Sequence, residues 1–255
     1  MKSPIKKKLL HNPGESLDRA IDAILYDMLQ YLLPTLFMIV FALNEWWRFY
    51  AKTPPSPYVI SVFALISICV TTWQVRKKFK RVRNLQQGLK GEKAVGQFLD
   101  CLRENGAKIF HDIPGEGFNL DHVVVHRSGV YVIETKTISK PDRGEAKLLF
   151  DGKKIVKNGL EPDRNPVVQV IAGSEWLADL IEQSTGRKFK IKPVVVYPGW
   201  YIQSTAEAKK SDVWVLNPKA LPAFISHRPE IMTQEEVHMF SKHLDMYIRA
   251  VGTYK

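Results

Sequence analysis

The chain has 255 residues, enough for one sizeable domain plus a further element. Its net charge of +11 is uneven: residues 1–84 carry 13 Lys/Arg against 5 Asp/Glu, and residues 85–255 carry 24 against 21. The second part therefore lacks the broad basic footprint of a strong nonspecific duplex binder, and two distant cysteines, Cys69 and Cys101, exclude a disulfide framework or a cysteine-based zinc site. Each cysteine sits in an apolar pattern and reads as a small buried hydrophobe, compatible with a reducing cytoplasm.

In chain order, the first apolar run is Tyr31 to Leu43, broken by Pro34, followed by Trp46 and Trp47, and bounded upstream by Asp27. A second run, Pro57 to Val75, holds no charged residue, with Tyr58 and Trp73 near its ends. At about 1.5 Å per residue it is just long enough for a hydrocarbon core of about 30 Å, with aromatic residues at the interfaces. No small-residue cleavage site follows the first run, so the pair reads as a transmembrane hairpin rather than a signal peptide. The expected boundaries are a cytoplasmic segment 1–28, spans 29–47 and 57–75 joined by an external loop 48–56, a basic juxtamembrane linker 76–84, and a soluble domain 85–255.

Orientation follows from flanking charge. Lys2, Lys6, Lys7 and Lys8 precede the first span, and Arg76, Lys77, Lys78, Lys80, Arg81 and Arg83 follow the second, against Arg48 and Lys52 between them. The positive-inside rule places both termini in the cytoplasm, in a bacterial cell at the inner (plasma) membrane. The basic run Arg76–Arg83 then suits anionic lipid contact.

From Gly88 the pattern becomes a helix with Val95, Phe98, Leu99 and Leu102 on one apolar stripe. Glu92 falls on the same stripe, and a carboxylate facing a core needs a partner, because burying it bare is costly. Ala107 to His111 reads as a strand and Pro114-Gly115-Glu116-Gly117 as a loop. The pair His111-Asp112 sits at a strand-to-loop junction without the further His and Asp of a metal phosphohydrolase, so it carries no such assignment.

Asn119 to Thr137 has two β-branched and aromatic runs around Arg127-Ser128, a β-hairpin. A turn of two or four residues pairs Val125 with Val130 and Val124 with Tyr131, and counting outward sets Asp121 opposite Glu134. A three-residue loop would turn Asp121 to the other face. Directly opposed carboxylates about 4.5–5.5 Å apart repel unless a cation lies between them. A hard divalent ion fits, and alternation sets Lys136 on the face of Glu134, about 6.6 Å further along. His122 and His126 alternate away from Asp121, toward structural or surface roles.

Glu145 to Val156 reads as a second hairpin turning at Asp151-Gly152. Lys147, Lys153, Lys154 and Lys157 either line a phosphate path or form a solvated face. Asn165 and Pro166 are an N-cap and first helical residue, and Gln169 shares a stripe with Trp176, Leu177 and Leu180. Lys192–Pro198 and Asp212–Leu216 read as strands, and Thr233-Gln234-Glu235-Glu236 as a capping box opening a helix through Val251. The expected class is α/β, a mixed central sheet flanked by helices.

Asp-x(n)-Glu-x-Lys across paired strands resembles the core of the PD-(D/E)xK nuclease superfamily. Gly88-x-x-Gly91-Glu92, Leu120–Val125, Gly129–Lys136 and Asn165-Pro166-x-x-Gln169, in that order over about Leu85 to Leu216, resemble the nuclease-related domain (NERD) family. The resemblance implies a restriction-endonuclease-like fold and a nuclease using Mg²⁺ or Mn²⁺ on nucleic acid, DNA before RNA. In that pattern Asp121 and Glu134 hold the metal, and Glu92 adds a ligand directly or through water. Lys136 stays protonated to orient water or stabilise the transition state, and Gln169 stands beside the site. The superfamily's usual Pro-Asp is Leu120-Asp121 here. A catalytically weak nucleic-acid-binding module and a membrane-anchored scaffold are the alternatives.

Overall fold

The computed structural model describes residues 10–53, 57–140, 145–157, 160 and 165–251. Lys2, Lys6, Lys7 and Lys8, used above for orientation, lie outside them. The chain divides into two units, residues 16–87 and the remainder.

The first unit is helical. Helix α1 spans Glu15–Tyr50 and helix α2 begins at Pro57, continuing to Glu104 in the second unit. Both are long and apolar enough to cross a membrane, and 11% of the most apolar stretch of each is buried. The core helix of a soluble protein would hide most of that surface. Pro34 does not break α1, contrary to expectation. Apolar helices tolerate proline where hydroxyl groups supply local hydrogen bonds, and here the Thr35 and Thr71 hydroxyls donate to the Tyr31 carbonyl. Thr35 also bonds the hydroxyls of Thr71 and Ser67, and Trp46 Nε1 donates to Ser61 Oγ, so polar contacts join the two helices at two levels. Lys78 pairs with Asp27 and lies over the Tyr31 ring at 4.4 Å. Residues 76–84, expected as a linker, are helical within α2. Cys69 and Cys101, expected to be buried, are exposed. Both stand off the contact faces of α2, and the Cys101 thiol donates to the Phe98 carbonyl.

The second unit is built on a five-stranded sheet in the order β1-β2-β3-β6-β8. Its strands are β1 Lys108–Pro114, β2 Asn119–His126, β3 Gly129–Thr135, β6 Ile191–Val196 and β8 Trp214–Leu216. The first three pair antiparallel, while β6 and β8 join in parallel, so the sheet is mixed. All seven residues of β3 are buried, as a central strand covered on both faces requires. On one face Val95, Leu99 and Leu102 of α2 pack against Ile109, Val124, Tyr131 and Ile133, with Leu221 and Ile225 of α4 (Leu221–Ser226). On the other, Val123, Val132 and Val195 pack against α3 (Pro166–Thr185) and α5 (Gln234–Val251). Residues 10–15 also belong to this unit, which sequence reading had left with the N-terminal segment.

A small second sheet, β5-β4-β7, comprises β4 Lys147–Phe150, β5 Ile155–Val156 and β7 Tyr201–Ser204. The β4–β5 hairpin has four loop residues rather than the two-residue turn expected at Asp151-Gly152, since Phe150 pairs with Ile155. Asp151 Oδ1 accepts from the Lys153 and Lys154 amides, the Asx-type bonding that organises a longer loop. Lys157 donates to the Ser139 carbonyl and lies over the Trp200 ring, a structural tie rather than a free phosphate contact.

Both expected caps form. Thr233 and Glu236 bond each other's backbone amides at the start of α5. At α3, Asn165 Oδ1 accepts from the Val167 amide while its Nδ2 donates to the Lys153 carbonyl, tying the helix start to the small sheet. Asn165→Ala should therefore lower the unfolding free energy by about 1–2 kcal/mol, with Asn165→Asp losing less because it keeps the cap. Equal denaturant midpoints for wild type and Asn165→Ala would remove this role.

Candidate active site

The β2–β3 ladder has the expected register, with Val125 opposite Val130, Val124 opposite Tyr131, and a final pair His122–Ile133. Continued by one residue it sets Asp121 against Glu134. The ladder stops there because the Asp121 side chain takes over: its Oδ2 accepts from the Thr135 amide at 2.7 Å. Glu134, 5% exposed, accepts from Lys136 Nζ through Oε1 at 2.6 Å. Each carboxylate thus keeps a second oxygen without a hydrogen bond among the described residues. Lys136 Nζ also donates to Gln169 Oε1 at 3.0 Å, bringing α3 to the site. Gln169 reaches it from the exposed side of its helix, not from the buried stripe, which runs through Val167, Val170, Ser174, Leu177 and Ile181. Spacing alone had misjudged the phase of that stripe.

Glu92 comes from α2, 8% exposed, on the predicted stripe. Gly91 explains how the helix approaches: a Cβ there would meet Thr137 Cγ2 at 2.0 Å, so a larger residue would push Glu92 away from the strand end. Two further residues were not assigned from sequence. Asp112 is buried, with φ of 49°, the left-handed region that Asp tolerates better than most residues. It stands across from Asp121 in β1, between the pairs His111–His122 and Ile113–Leu120. Asn119 Nδ2 donates to its Oδ1 and His11 Nδ1 donates to its carbonyl. Tyr197 follows β6 on the face of Val195, next to Lys136 in the adjacent strand, whose amide donates to the Val196 carbonyl. Counting the β1–β2 hairpin as carefully as the β2–β3 hairpin could have revealed Asp112. Tyr197 needed the β3–β6 pairing, which is not local in sequence.

The electrostatics match this crowding. Burial, then the neighbouring Asp112 and Glu134, push the Glu92 carboxyl up to about 7, against the pull of Lys136. Burial, followed by Glu134 and Glu92, holds Asp121 well above the carboxylate range, opposed by the Thr135 amide and Lys136. Glu134 is raised by burial and drawn back by Lys136, and Tyr197 is raised by burial and by Glu134. Such mutually repelling carboxylates favour a bound cation.

Among the described residues no group of three or more His, Cys, Asp or Glu side chains is arranged to hold a metal ion. The donor set still suits Mg²⁺ or Mn²⁺, which use one or two carboxylates and complete their shell with water and phosphate oxygens. His122 and His126 are buried rather than on the surface. His111 Nδ1 and His122 Nδ1 share one hydrogen bond at 2.8 Å, and His126 bonds Ser128 Oγ. Burial draws His111 down to about 4 and His122 well below its usual value, so both are neutral near pH 7 and structural.

Glu92 gives a signed stability prediction. Its folded pKa exceeds its unfolded value, so its contribution favours folding at low pH and is lost as pH rises from about 4.3 to about 7. With EDTA, the melting temperature should fall across that window, and Glu92→Gln should flatten the fall, by on the order of 3 kcal/mol at pH 8. An unchanged slope in Glu92→Gln would contradict the burial of this carboxyl.

Residues 87–198 match the family model described as nuclease-related domain (NERD), a span that includes every residue of the cluster. No curated protein matches the chain. Among solved structures, that of Pyrococcus furiosus SfsA in complex with Ca²⁺ is similar at 16% identity, with a TM-score of 0.24. The alignment takes in 51% of this chain and 55% of that one.

Proposed function

The chain carries a nuclease-related domain at residues 87–198, and on that premise we propose that it is a membrane-anchored, divalent-metal-dependent nuclease hydrolysing phosphodiester bonds, of DNA before RNA. The observation that carries this reading is the convergence of Asp121, Glu134 and Lys136, with Gln169 on the lysine, inside the matched span.

Asp121 and Glu134, through the oxygens left free by Thr135 and Lys136, would hold Mg²⁺ or Mn²⁺. When bound, that ion supplies Lewis acidity toward a phosphate oxygen and a more acidic water. Lys136, held by Glu134 and Gln169, steers the scissile phosphate and offsets charge as the phosphorus becomes more crowded. Gln169 fixes the direction of that ammonium and presents its amide N–H₂ to water or a phosphate oxygen. Glu92, raised to about 7, is partly ionised near neutral pH, and its ionised form would accept a proton from water on the α2 side. Tyr197, within the electrostatic reach of Glu134, would offer its hydroxyl from the β6 side. The two apolar helices, whose spans are mostly unburied, support anchoring in a membrane with both termini cytoplasmic and Arg76–Arg83 at anionic headgroups.

A second reading, a binding module without turnover, is favoured by the absence of a three-ligand cluster among the described residues. One assay separates them. The full chain in detergent should cleave single- or double-stranded DNA with Mg²⁺ or Mn²⁺ and not with EDTA. Asp121→Ala and Lys136→Ala should lower the rate about a hundredfold or more, and Tyr197→Phe by less. Binding equal in all forms with no cleavage under any metal would leave the binding module. For topology, a phosphatase reporter should be active when inserted within residues 48–56 and inactive at the C-terminus. The reverse pattern would overturn the orientation.

A further inference from the structure

A second charged concavity lies away from the carboxylates. It is a pocket of about 130 Å³ lined by Ser128 and Gly129 at the β2–β3 turn, Tyr131, Lys190 and Lys192 at the start of β6, Asp212 before β8, and Arg228 after α4. Tyr131, with Lys192 beside it in register, is three residues of β3 from Glu134, about 10 Å, and strand alternation sets Tyr131 and Glu134 on opposite faces. The pocket and the carboxylate cluster therefore cannot share one phosphate.

Three of the pocket's lining residues, Tyr131, Lys192 and Arg228, converge on the ring of Trp214. That ring stacks with Tyr131 at 5.8 Å, and Lys192 Nζ and Arg228 Cζ lie 5.2 and 5.3 Å from its centroid. Two cations on one indole are each attracted by the ring and repelled by one another. Lys190 adds a third positive charge, and Asp212, 3.5 Å from it, removes one. Arg127 nearby is neutralised by Glu230 at 2.6 Å. Lys190, Lys192 and Arg228 against Asp212 leave a surplus of two positive charges. Burial, with Arg228 and Lys190, pulls the Lys192 ammonium below its usual range while Asp212 opposes this, so the surplus is felt at the half-buried lysine. A phosphate monoester or inorganic phosphate carries about −1.5 to −2 near pH 7. The pocket has room for a phosphate group.

We propose that this pocket is a phosphate-binding site, in which Lys192 and Arg228 grip a single phosphate group beside Tyr131 and Lys190 closes the outer side. The site is independent of whether the carboxylate cluster is catalytic. Both a free phosphate and the terminal phosphate of a nucleic acid strand present this chemistry.

The test is calorimetric binding of inorganic phosphate to the full chain in detergent with EDTA, for wild type, Lys192→Met, Lys192→Arg, Arg228→Met, Lys188→Met and Asp121→Ala. Saturable binding is expected in wild type, weakened about tenfold or more in Lys192→Met and Arg228→Met. It should survive in Lys192→Arg, Lys188→Met and Asp121→Ala. Arg228 is exposed, so its variant keeps the test meaningful if Lys192→Met fails to fold. A 5′-phosphorylated oligonucleotide binding more tightly than both inorganic phosphate and its 5′-hydroxyl counterpart would support a strand end as the source. Equal affinity for inorganic phosphate and the phosphorylated strand would support a site that reads the phosphate alone. No saturable binding by wild type, binding untouched in both methionine variants, or loss in Asp121→Ala alone would overturn the proposal.

Discussion

A carboxylate is expensive to bury, and the end of the central sheet brings Glu92, Asp112, Asp121 and Glu134 into mutual electrostatic reach. What makes this tolerable is specific: the Thr135 amide on Asp121, the Lys136 ammonium on Glu134, and Asn119 on Asp112. Each contact depends on a feature of the fold. The β2–β3 ladder must end at His122 for Asp121 to reach Thr135. Gly91 must be small for α2 to deliver Glu92. Burial first, then residual repulsion from Asp112 and Glu134, hold Glu92 at about 7, and together they give the site its appetite for a cation.

How much of this was legible depends on the range of the determining contact. The β2–β3 register was readable because a two-residue turn and a period of two leave a single pairing that buries both runs. Glu92 was readable because its helix stripe is regular from Val95 to Leu102. Gln169 was located near the site through family resemblance, but its phase was misjudged: on α3, Val167 and Val170 carry the buried face and the amide arrives from outside. Asp112 and Tyr197 were missed for another reason. Asp112 is a left-handed residue of β1, whose hairpin register with β2 was not counted, while Tyr197 depends on a parallel pairing between strands over fifty residues apart, which leaves no local signature. The β5-β4-β7 sheet was likewise only half visible, since β7 joins it from far along the chain.

The helical unit follows a simpler logic. In the proposed membrane setting, apolar contact between helices would confer little advantage over lipid, and small hydroxyl and indole contacts would define the pairing. Thr35, Ser67 and Thr71 at one level, and Trp46 with Ser61 at another, are such contacts. Asp27, which had seemed to shorten the first span, is instead the partner of Lys78. A charge that limits a span in sequence becomes, once paired, a fixed point of the hairpin.

Charge also constrains how the soluble unit meets a polyanion. Residues 85–255 have a small net charge, and the carboxylate cluster repels phosphate wherever it is uncompensated. An incoming strand therefore gains little from the bulk field and must be held by local groups. Lys136 is the ammonium bonded within the cluster, while the Lys192–Arg228 surplus lies on the opposite face of the sheet. Close to the carboxylates, a divalent cation is the efficient way to turn repulsion into attraction. Under the proposed function, affinity for nucleic acid at this site would be coupled to occupancy by the ion, and its salt dependence would be shallow compared with that of a basic groove that neutralises many phosphates.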